Sequence, residues 1–513
     1  MDLILQVAQN VFSPFTLLIC FIGTALGVIL GAIPGLNGGI GIAVMLPFTY
    51  SMDPAQGLLF LGGMYLGSSY GGSISGILIN CPGTAESACT TLEGYPMTRR
   101  GEGKRALYFS IIASGVGSVI GLTVLLFFTQ ILSKVSVKFG PPEMMLLAIC
   151  GLSIVGSLTG KNVIKGLIAA MIGLLLAMIG IDNTTGALRF TFGLNELRGG
   201  IGLIPAVIGL FAIAEMIKQG MRLRDANGGN AVTKLQQCKF STVWKDTWKN
   251  FKGVLLKSSI IGTFIGVLPG TGGAIASFLA YGEAKGKDKE GTFGNGNPAG
   301  IIASESANNA AVGGSLVPML ALGIPGSATS AIMFGALTIH GLVPGQRLFV
   351  EHADIAYTFL IGMFVTVVFM MIIGCFGIPL FAKVLKLNIR QIIPVVILCS
   401  LVGAYSVNNS LNDVFVAIGC GVLGVVLSKL EIPTTPIVLG LILGGLIESN
   451  FIRTQTIVHS QGINFFAYVF TRPLCLVILA LTVYLIYTNI KAMKRGKKIQ
   501  QSANITQDPQ EEN

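Results

Sequence analysis

One motif occurs twice in this chain, and each copy interrupts a long apolar segment. Residues 31–39 read G-A-I-P-G-L-N-G-G, and residues 266–273 read G-V-L-P-G-T-G-G. Downstream of each copy come Gly-Gly-Ser and then a second Pro-Gly pair. Proline removes a backbone donor and glycine loosens the chain, so both interrupt a helix. The predicted hairpin tips and helix breaks are Pro34, Gly35, Pro82, Gly83, Pro269, Gly270, Pro325 and Gly326.

The chain is apolar enough to be a membrane protein. Of its 513 residues, 52% are hydrophobic and only 11% are charged, whereas soluble domains carry about 25% charged residues. Apolar stretches long enough to span a bilayer recur, as at 107–131 and 357–382. We therefore predict an all-α polytopic membrane protein. Broken backbone survives in a membrane only where protein or a water-filled cavity satisfies it, so four matched breaks favour a transporter with a central polar site.

The loop charges indicate two halves of opposite orientation. Residues 14–217 and 254–490 repeat the same order of motifs, with a linker over 218–253 and a tail over 491–513. Lysine and arginine crowd the linker and the tail, so both should be cytoplasmic. Arg99 and Arg100 follow the second Pro-Gly of the first half, but in the equivalent loop at 340–354 the only lysine or arginine is Arg347. We predict inverted repeats, with one re-entrant hairpin entering from each side of the membrane.

The net charge of +11 does not indicate a nucleic-acid-binding protein, because the positive residues lie in short loops and at the C-terminus. No spacing of the nine cysteines suggests a metal or redox site. In the linker, Trp244 and Trp248 fall on one helical face. This favours a helix lying flat at the cytoplasmic membrane surface, and the alternative is an ordinary helix packed on the protein.

Small polar residues surround the breaks and outline a candidate site. A helix that restarts after a break presents free N–H groups and a positive dipole end, which favour an anion such as a carboxylate. The opposite helix ends expose carbonyls, which suit Na⁺ together with Asn and Ser oxygens. Glu305 precedes the Asn308-Asn309 pair, where it could join a cation site or carry a proton. For any single Ser or Thr, close helix packing is the alternative explanation.

Several longer motifs resemble those of one known family. They are P-G-T-A-E-S-A-C at 82–89, G-V-L-P-G-T-G-G at 266–273, E-S-A-N-N-A-A-V-G-G-S at 305–315 and L-G-I-P-G-S-A-T-S-A at 322–331. These stretches are similar to the large membrane subunit of tripartite tricarboxylate transporters, the TctA type, and the resemblance covers nearly the whole chain. It implies a secondary transporter for citrate or related carboxylates, driven by Na⁺ or H⁺, in the bacterial inner membrane. It also implies a small membrane subunit and an extracytoplasmic binding protein as partners.

The resemblance and the breaks together assign candidate ligands. The predicted substrate-binding residues are Asn37, Thr84, Thr271, Asn308, Asn309, Ser327 and Thr329. The predicted cation-binding residues are Pro34, Gly35, Gly270, Ser306 and Asn308. We expect no cofactor beyond the coupling ion, a cytoplasmic C-terminus and an elevator-type movement, and a homodimer stays open. A stand-alone carboxylate channel or permease is the alternative, and an intramembrane enzyme is disfavoured because no nucleophile and base pair lies at membrane depth.

Overall fold

Helices make up almost all of the computed structural model of this chain. The structure describes residues 2–33, 36, 38–136, 139–158, 163–182, 186–222, 236–268, 272–384, 389–480 and 482–484. The helices of the first part are α1 (Asp2–Val11), α2 (Pro14–Ala32), α3 (Gly38–Met45), α4 (Pro54–Ile79), α5 (Ala88–Arg99), α6 (Gly103–Ser136), α7 (Pro141–Leu158), α8 (Val163–Ala177), α9 (Leu203–Val207) and α10 (Ala214–Arg222). Two short antiparallel strands, β1 (Gly180–Ile181) and β2 (Leu188–Arg189), follow α8, and a π-helical turn at Ile208–Ile213 joins α9 to α10.

The second part of the chain repeats this helical character. Its helices are α11 (Phe240–Asn250), α12 (Lys252–Val267), α13 (Gly272–Gly286), α14 (Pro298–Leu322), α15 (Ala328–Ile339), α16 (Gln346–Glu351), α17 (Ala353–Phe376), α18 (Ile378–Val384), α19 (Ile389–Asn408), α20 (Leu411–Lys429), α21 (Thr435–Gln461) and α22 (Phe465–Phe470). The chain divides into two units, of which the first comprises residues 1–137 and 202–425 and the second comprises residues 138–201 and 426–513. Each unit thus contains segments from both halves of the sequence.

Six helices in the described part of the chain are long and apolar enough to cross a membrane. They are Pro14–Ala32, Gly103–Lys134, Leu203–Met221, Ala353–Phe376, Leu411–Lys429 and Pro436–Gln461. The apolar stretches at 107–131 and 357–382, singled out in the sequence, fall largely within α6 and α17. The prediction of an all-α polytopic membrane protein is therefore confirmed.

Three long helices of the first unit begin with the same local signal. The side chains of Ser13, Asp53 and Asn297 accept a hydrogen bond from a backbone N–H in the first turn of α2, α4 and α14. A proline follows each cap, where its fixed backbone angle suits the first helical position and its missing N–H is not needed. The sequence therefore sets the start of each helix locally, before any packing.

Glycine brings the helices around α4 and α14 into backbone contact. A Cβ at Gly27 or Gly31 of α2 would overlap backbone atoms of α4. In the same way, a Cβ at Gly262 or Gly266 of α12 would overlap backbone atoms of α14. This spacing of four residues is the small-residue pattern of closely packed membrane helices. The α2–α4 and α12–α14 pairs therefore form two closely packed pairs within the first unit.

A second type of close contact also occurs twice, once in each unit. In the first unit, a Cβ at Gly209 would overlap the carbonyl of Ala417 on α20. In the second unit, a Cβ at Gly440 of α21 would overlap the carbonyl of Ala170 on α8. Gly209 and Gly440 end the matching P-A-V-I-G and P-I-V-L-G motifs of the two halves. The same motif therefore makes the same kind of helix contact in both places.

The linker helix α11 packs against α6. Val243 and Thr247 are buried on its inner face, and Arg105 of α6 forms an ion pair with Asp246 at 3.0 Å. Trp248, which follows Thr247, is partly exposed, at 37% of its surface. These contacts match the packed-helix alternative from the sequence, and a role for the exposed tryptophan at a membrane surface stays a prediction.

Candidate functional site

Both second Pro-Gly pairs lie at helix breaks in the first unit, as the sequence predicts. Helix α4 ends at Asn80 with φ 57°, and α14 ends at Gly323 with φ 72°. Both residues are in the left-handed conformation, which glycine and asparagine adopt more easily than other residues. Each Pro-Gly pair follows two residues later, and a short helix, α5 or α15, begins beyond it. The interruption at Pro82-Gly83, between α4 and α5, is called the first break, and that at Pro325-Gly326, between α14 and α15, the second break. The two breaks thus share their backbone conformation as well as their sequence.

The two breaks also share one backbone hydrogen bond. The N–H of Gly83 donates to the carbonyl of Gly72 at 3.0 Å, and the N–H of Gly326 donates to the carbonyl of Ser315 at 3.3 Å. In both cases the acceptor lies eleven residues before the donor. A Cβ at Gly83 would overlap a carbonyl of α2, and one at Gly326 would lie 2.8 Å from a carbonyl of α12. Only glycine allows the broken chain to approach its neighbouring helix this closely.

At each break, two hydroxyl side chains accept hydrogen bonds from each other's backbone N–H groups. Thr84 Oγ1 accepts from the N–H of Ser87, and Ser87 Oγ accepts from the N–H of Thr84, both at 3.3 Å. Ser327 Oγ accepts from the N–H of Ser330 at 3.1 Å, and Ser330 Oγ accepts from the N–H of Ser327 at 2.7 Å. At α15 this reciprocal arrangement is a capping box, whereas the Thr84–Ser87 pair closes the turn that precedes α5, whose N-cap residue is Ser87. One first-turn amide of α15, that of Ser330, is therefore already satisfied, although the sequence led us to expect free N–H groups there.

Hydrogen bonds connect α4 to α14 and to the second break. The hydroxyl of Tyr65 on α4 lies 2.7 Å from Ser327 Oγ and 3.1 Å from Ser315 Oγ. One turn further along α4, the carbonyl of Ser69 accepts from Asn308 Nδ2 at 3.2 Å. All five residues are buried. The first-half helix α4 thus contributes directly to the surroundings of the second-half break.

The first break and α13 meet at Asn308. A Cβ at Gly273, in the first turn of α13, would lie 2.5 Å from Asn308 Oδ1 and 2.9 Å from Glu86 Cγ. Glu86 follows the Pro-Gly of the first break, and Gly273 follows the predicted hairpin tip of the second half. The side-chain amide of Asn308 therefore lies where elements of both halves converge, with its Oδ1 facing the small Gly273.

The remaining predicted site residues lie on α14 and α15 or outside the described part of the chain. Asn309 is buried and donates from Nδ2 to the carbonyl of Glu305 at 3.3 Å. Ser306 is buried, with its Oγ 3.4 Å from the carbonyl of Ala303, and Thr329 is half-buried in the first turn of α15. The predicted residues that lie outside the described part of the chain are Pro34, Gly35, Asn37, Pro269, Gly270 and Thr271.

Sequence reasoning missed the buried carboxylate of Glu93 on α5. Its Oε1 accepts from the Tyr281 hydroxyl at 2.9 Å and from the N–H of Gly294 at 2.5 Å. Its Oε2 accepts from the N–H groups of Gly296 at 2.7 Å and Asn297 at 2.8 Å. The glycine-rich run at 294–300 therefore holds an anion, but that anion belongs to the protein itself. The signal available in the sequence was an acid close behind the first break.

A second buried carboxylate, Glu305 of α14, is surrounded by hydroxyl groups. Thr90 of α5 donates to Oε1 at 2.5 Å. Ser114 and Ser110 of α6 donate to Oε2 at 3.1 Å and 3.4 Å. The side chain is fully buried, with 0% of the residue surface exposed. No group of three or more His, Cys, Asp or Glu side chains suited to a metal ion occurs among the described residues.

Comparisons with known proteins agree with the membrane architecture. The model of the tripartite tricarboxylate transporter TctA family matches residues 17–439. A relative from Agrobacterium vitis, described as an uncharacterized 52.8 kDa protein in the TAR-I ttuC' 3' region, is 33% identical over 97% of this chain and 99% of its own length. A second protein from the same organism, described by the TAR-II ttuC' 3' region, is 31% identical over 47% of this chain and 98% of its own length. No solved structure matches this chain significantly.

Proposed function

Because this chain belongs to the tripartite tricarboxylate transporter TctA family, we propose that it takes up a tricarboxylate, such as citrate, or a related carboxylate with a coupling cation, Na⁺ or H⁺. It is the large membrane subunit of such a transporter. The observation that carries the proposal is the pair of equivalent helix breaks, with the same backbone hydrogen bond and the same reciprocal pair of hydroxyl–amide hydrogen bonds. Matched broken helices beside a buried polar site are typical of secondary transporters.

The substrate site in this proposal lies around Asn308. Its side-chain amide is buried at the convergence of α4, α13, α14 and the first break. At the second break, the amides of Ala328 and Thr329 in the first turn of α15 have no hydrogen-bond partner within the described residues. Amides at a helix N-terminus bind carboxylates through their N–H groups and the helix dipole. A carboxylate held there needs no buried lysine or arginine.

The inverted repeat and its movement are part of the same proposal. The matching hydroxyl–amide pairs at the two breaks and the glycine contacts of Gly209 and Gly440 support equivalent halves over 14–217 and 254–490. In an elevator-type cycle, the elements that carry the breaks would move across the membrane with the substrate. The proposal also includes a small membrane subunit, an extracytoplasmic binding protein, an inner-membrane location and a cytoplasmic C-terminus, with a homodimer left open.

Uptake into proteoliposomes tests this function. Purified protein is reconstituted with the binding protein and the small subunit, and accumulation of radiolabelled citrate and other carboxylates is measured under Na⁺ or pH gradients. We expect accumulation above the external concentration, which a passive channel cannot produce. A failure of every carboxylate to accumulate under either gradient would refute the proposal.

Substitution of Asn308 tests the position of the site. We expect Asn308→Ala to abolish uptake, because the variant loses the amide at the convergence of both halves. Asn412→Ala is the matched control, since Asn412 is exposed on α20 and its loss should leave uptake unchanged. Full uptake by the Asn308 variant, at a matched amount of protein, would show that the substrate binds elsewhere.

A further inference from the structure

The carboxyl group of Glu305 is buried without a positive partner. Among the described residues it forms no ion pair with lysine, arginine or histidine, and its oxygens face hydroxyl groups, those of Thr90, Ser110, Ser114 and Ser73. A bare carboxylate removed from water in this way costs several kcal/mol. The carboxyl group therefore needs either a bound proton or a bound cation for part of its working cycle.

The other titratable groups on the elements packed against α14 do not supply this charge. Tyr70 on α4 and Cys89 on α5 face the Glu305 region and are fully buried. Glu93 on α5 is held by Tyr281 and the backbone of 294–297. The ammonium group of Lys257 on α12 pairs with a glutamate of α13. On α6, Arg105 pairs with Glu102 and Asp246, and Lys104 donates to Gln237. No cation in the described part of the chain is thus available to neutralise Glu305 permanently.

The hydroxyls around Glu305 are arranged so that they can hold the group in either protonation state. Thr90 Oγ1 lies 2.5 Å from Glu305 Oε1 and 2.8 Å from Ser304 Oγ. Ser304 Oγ in turn lies 2.9 Å from the carbonyl of Gly300. When Glu305 is ionised, Thr90 donates to Oε1. When Glu305 is protonated, its own proton is donated to Thr90 Oγ1, and Thr90 turns to donate to Ser304, which donates to Gly300.

We propose that Glu305 carries the coupling proton of this transporter, an inference that rests on the proposed function. Its position on α14, one turn before Asn308, places the proton beside the candidate substrate site. A proton needs only the rotation of one hydroxyl at Thr90. A metal ion bound to the carboxylate would instead require the surrounding hydroxyls to stop donating to it and to turn their lone pairs toward the metal. The hydroxyl cluster around Glu305 therefore suits a proton, which the Glu305 carboxylate binds and later releases.

The substitution Glu305→Gln separates coupling from transport. Glutamine has nearly the shape of the protonated acid but can neither gain nor lose a proton. In proteoliposomes with the binding protein present, we expect uptake driven by a pH gradient to fall to the level without a gradient. Counterflow of labelled against unlabelled carboxylate should stay within about twofold of wild type, because it requires only substrate binding and movement. Glu143→Gln, a buried acid that pairs with Arg472 instead, is the control and should keep the response to pH.

A second variant keeps the inference testable if Glu305→Gln does not fold. Thr90→Val removes a donor to the ionised form, so the midpoint of transport against pH should rise by about one unit. Wild-type uptake that follows a Na⁺ gradient and ignores a pH gradient would overturn the proton assignment while leaving the transport function intact. Unchanged pH-driven uptake by Glu305→Gln would also overturn it. Absence of any wild-type uptake would instead refute the proposed function.

Discussion

The carboxylate of Glu93 should hold the loop before α14 in place, and Glu93→Gln tests this. Each oxygen of the Glu93 carboxylate accepts two hydrogen bonds. The four donors are the Tyr281 hydroxyl and three backbone amides. Glutamine replaces one of these oxygens by an NH₂ group, which donates and cannot accept. With the NH₂ group in place of Oε2, the amides of Gly296 and Asn297 lose their acceptor; with it in place of Oε1, the Tyr281 hydroxyl can turn and accept from the NH₂ group, but the amide of Gly294 loses its acceptor.

The expected cost follows from these bonds. A buried donor left without an acceptor costs about 1–3 kcal/mol, and bonds to a charged group are at the upper end. At least one such bond is lost, which lowers the free energy of opening the loop by about 2 kcal/mol or more. Since each 1.4 kcal/mol is tenfold in an equilibrium constant, the open population should rise at least about 30-fold. The effect is local, because all three amides lie within 294–297.

Hydrogen exchange measured by mass spectrometry on a peptide covering 290–301 reads this opening directly. The amides of Gly294, Gly296 and Asn297 should exchange about 30-fold faster in the Glu93 variant, provided that exchange follows the open population. Tyr281→Phe is the graded control, because it removes one donor and leaves the three amides bonded, and it should change exchange by less than about tenfold. Unchanged exchange in Glu93→Gln would mean that the carboxylate does not secure this loop.

Three further predictions concern folding and can be checked by thermal unfolding in detergent. Gly83→Ala should lower the yield of folded protein more than Gly326→Ala, because the new methyl group meets the α2 carbonyl more closely than its counterpart meets α12; equal yields would contradict this. Arg472→Ala should cost about 3–5 kcal/mol, since it leaves the buried carboxylate of Glu143 unpaired, and adding Glu143→Gln should restore part of the loss. Hydrogen bonds from two lysine side chains lower the pKa of Glu283. Glu283→Gln should therefore lower the free energy of unfolding by less than about 1 kcal/mol above pH ~4.3. This loss of stability should vanish as the pH falls through the lowered pKa, because the wild-type carboxylate is then protonated.

The sequence predicts the helix breaks well because their causes are local. Asn80, Pro82 and Gly83 act through backbone angles and a missing donor, and the equivalent residues of the second break act in the same way. The membrane class likewise follows from composition and from the length of the apolar segments. These features need no knowledge of which helices are neighbours.

The contacts between distant segments could not be predicted in the same way. Nothing local pairs Glu93 with the amides of 294–297, or Thr90 with Glu305, because each pair is separated by about two hundred residues and meets only through helix packing. The hydrogen bonds of Thr84 in the turn before α5 could not be predicted either, because they depend on the position of Ser87.

The capping box of α15 changes how an anion would bind at the second break. Ser327 Oγ accepts from the N–H of Ser330 and lies close to the Tyr65 hydroxyl, so its lone pairs are engaged within the protein. A carboxylate oxygen can accept but cannot donate, and it therefore competes with Ser327 only for hydrogens. The half-buried amides of Ala328 and Thr329 are the donors that need no rearrangement. Ser327 and Ser330 then cap α15, and the backbone amides of Ala328 and Thr329 give the second break its affinity for anions.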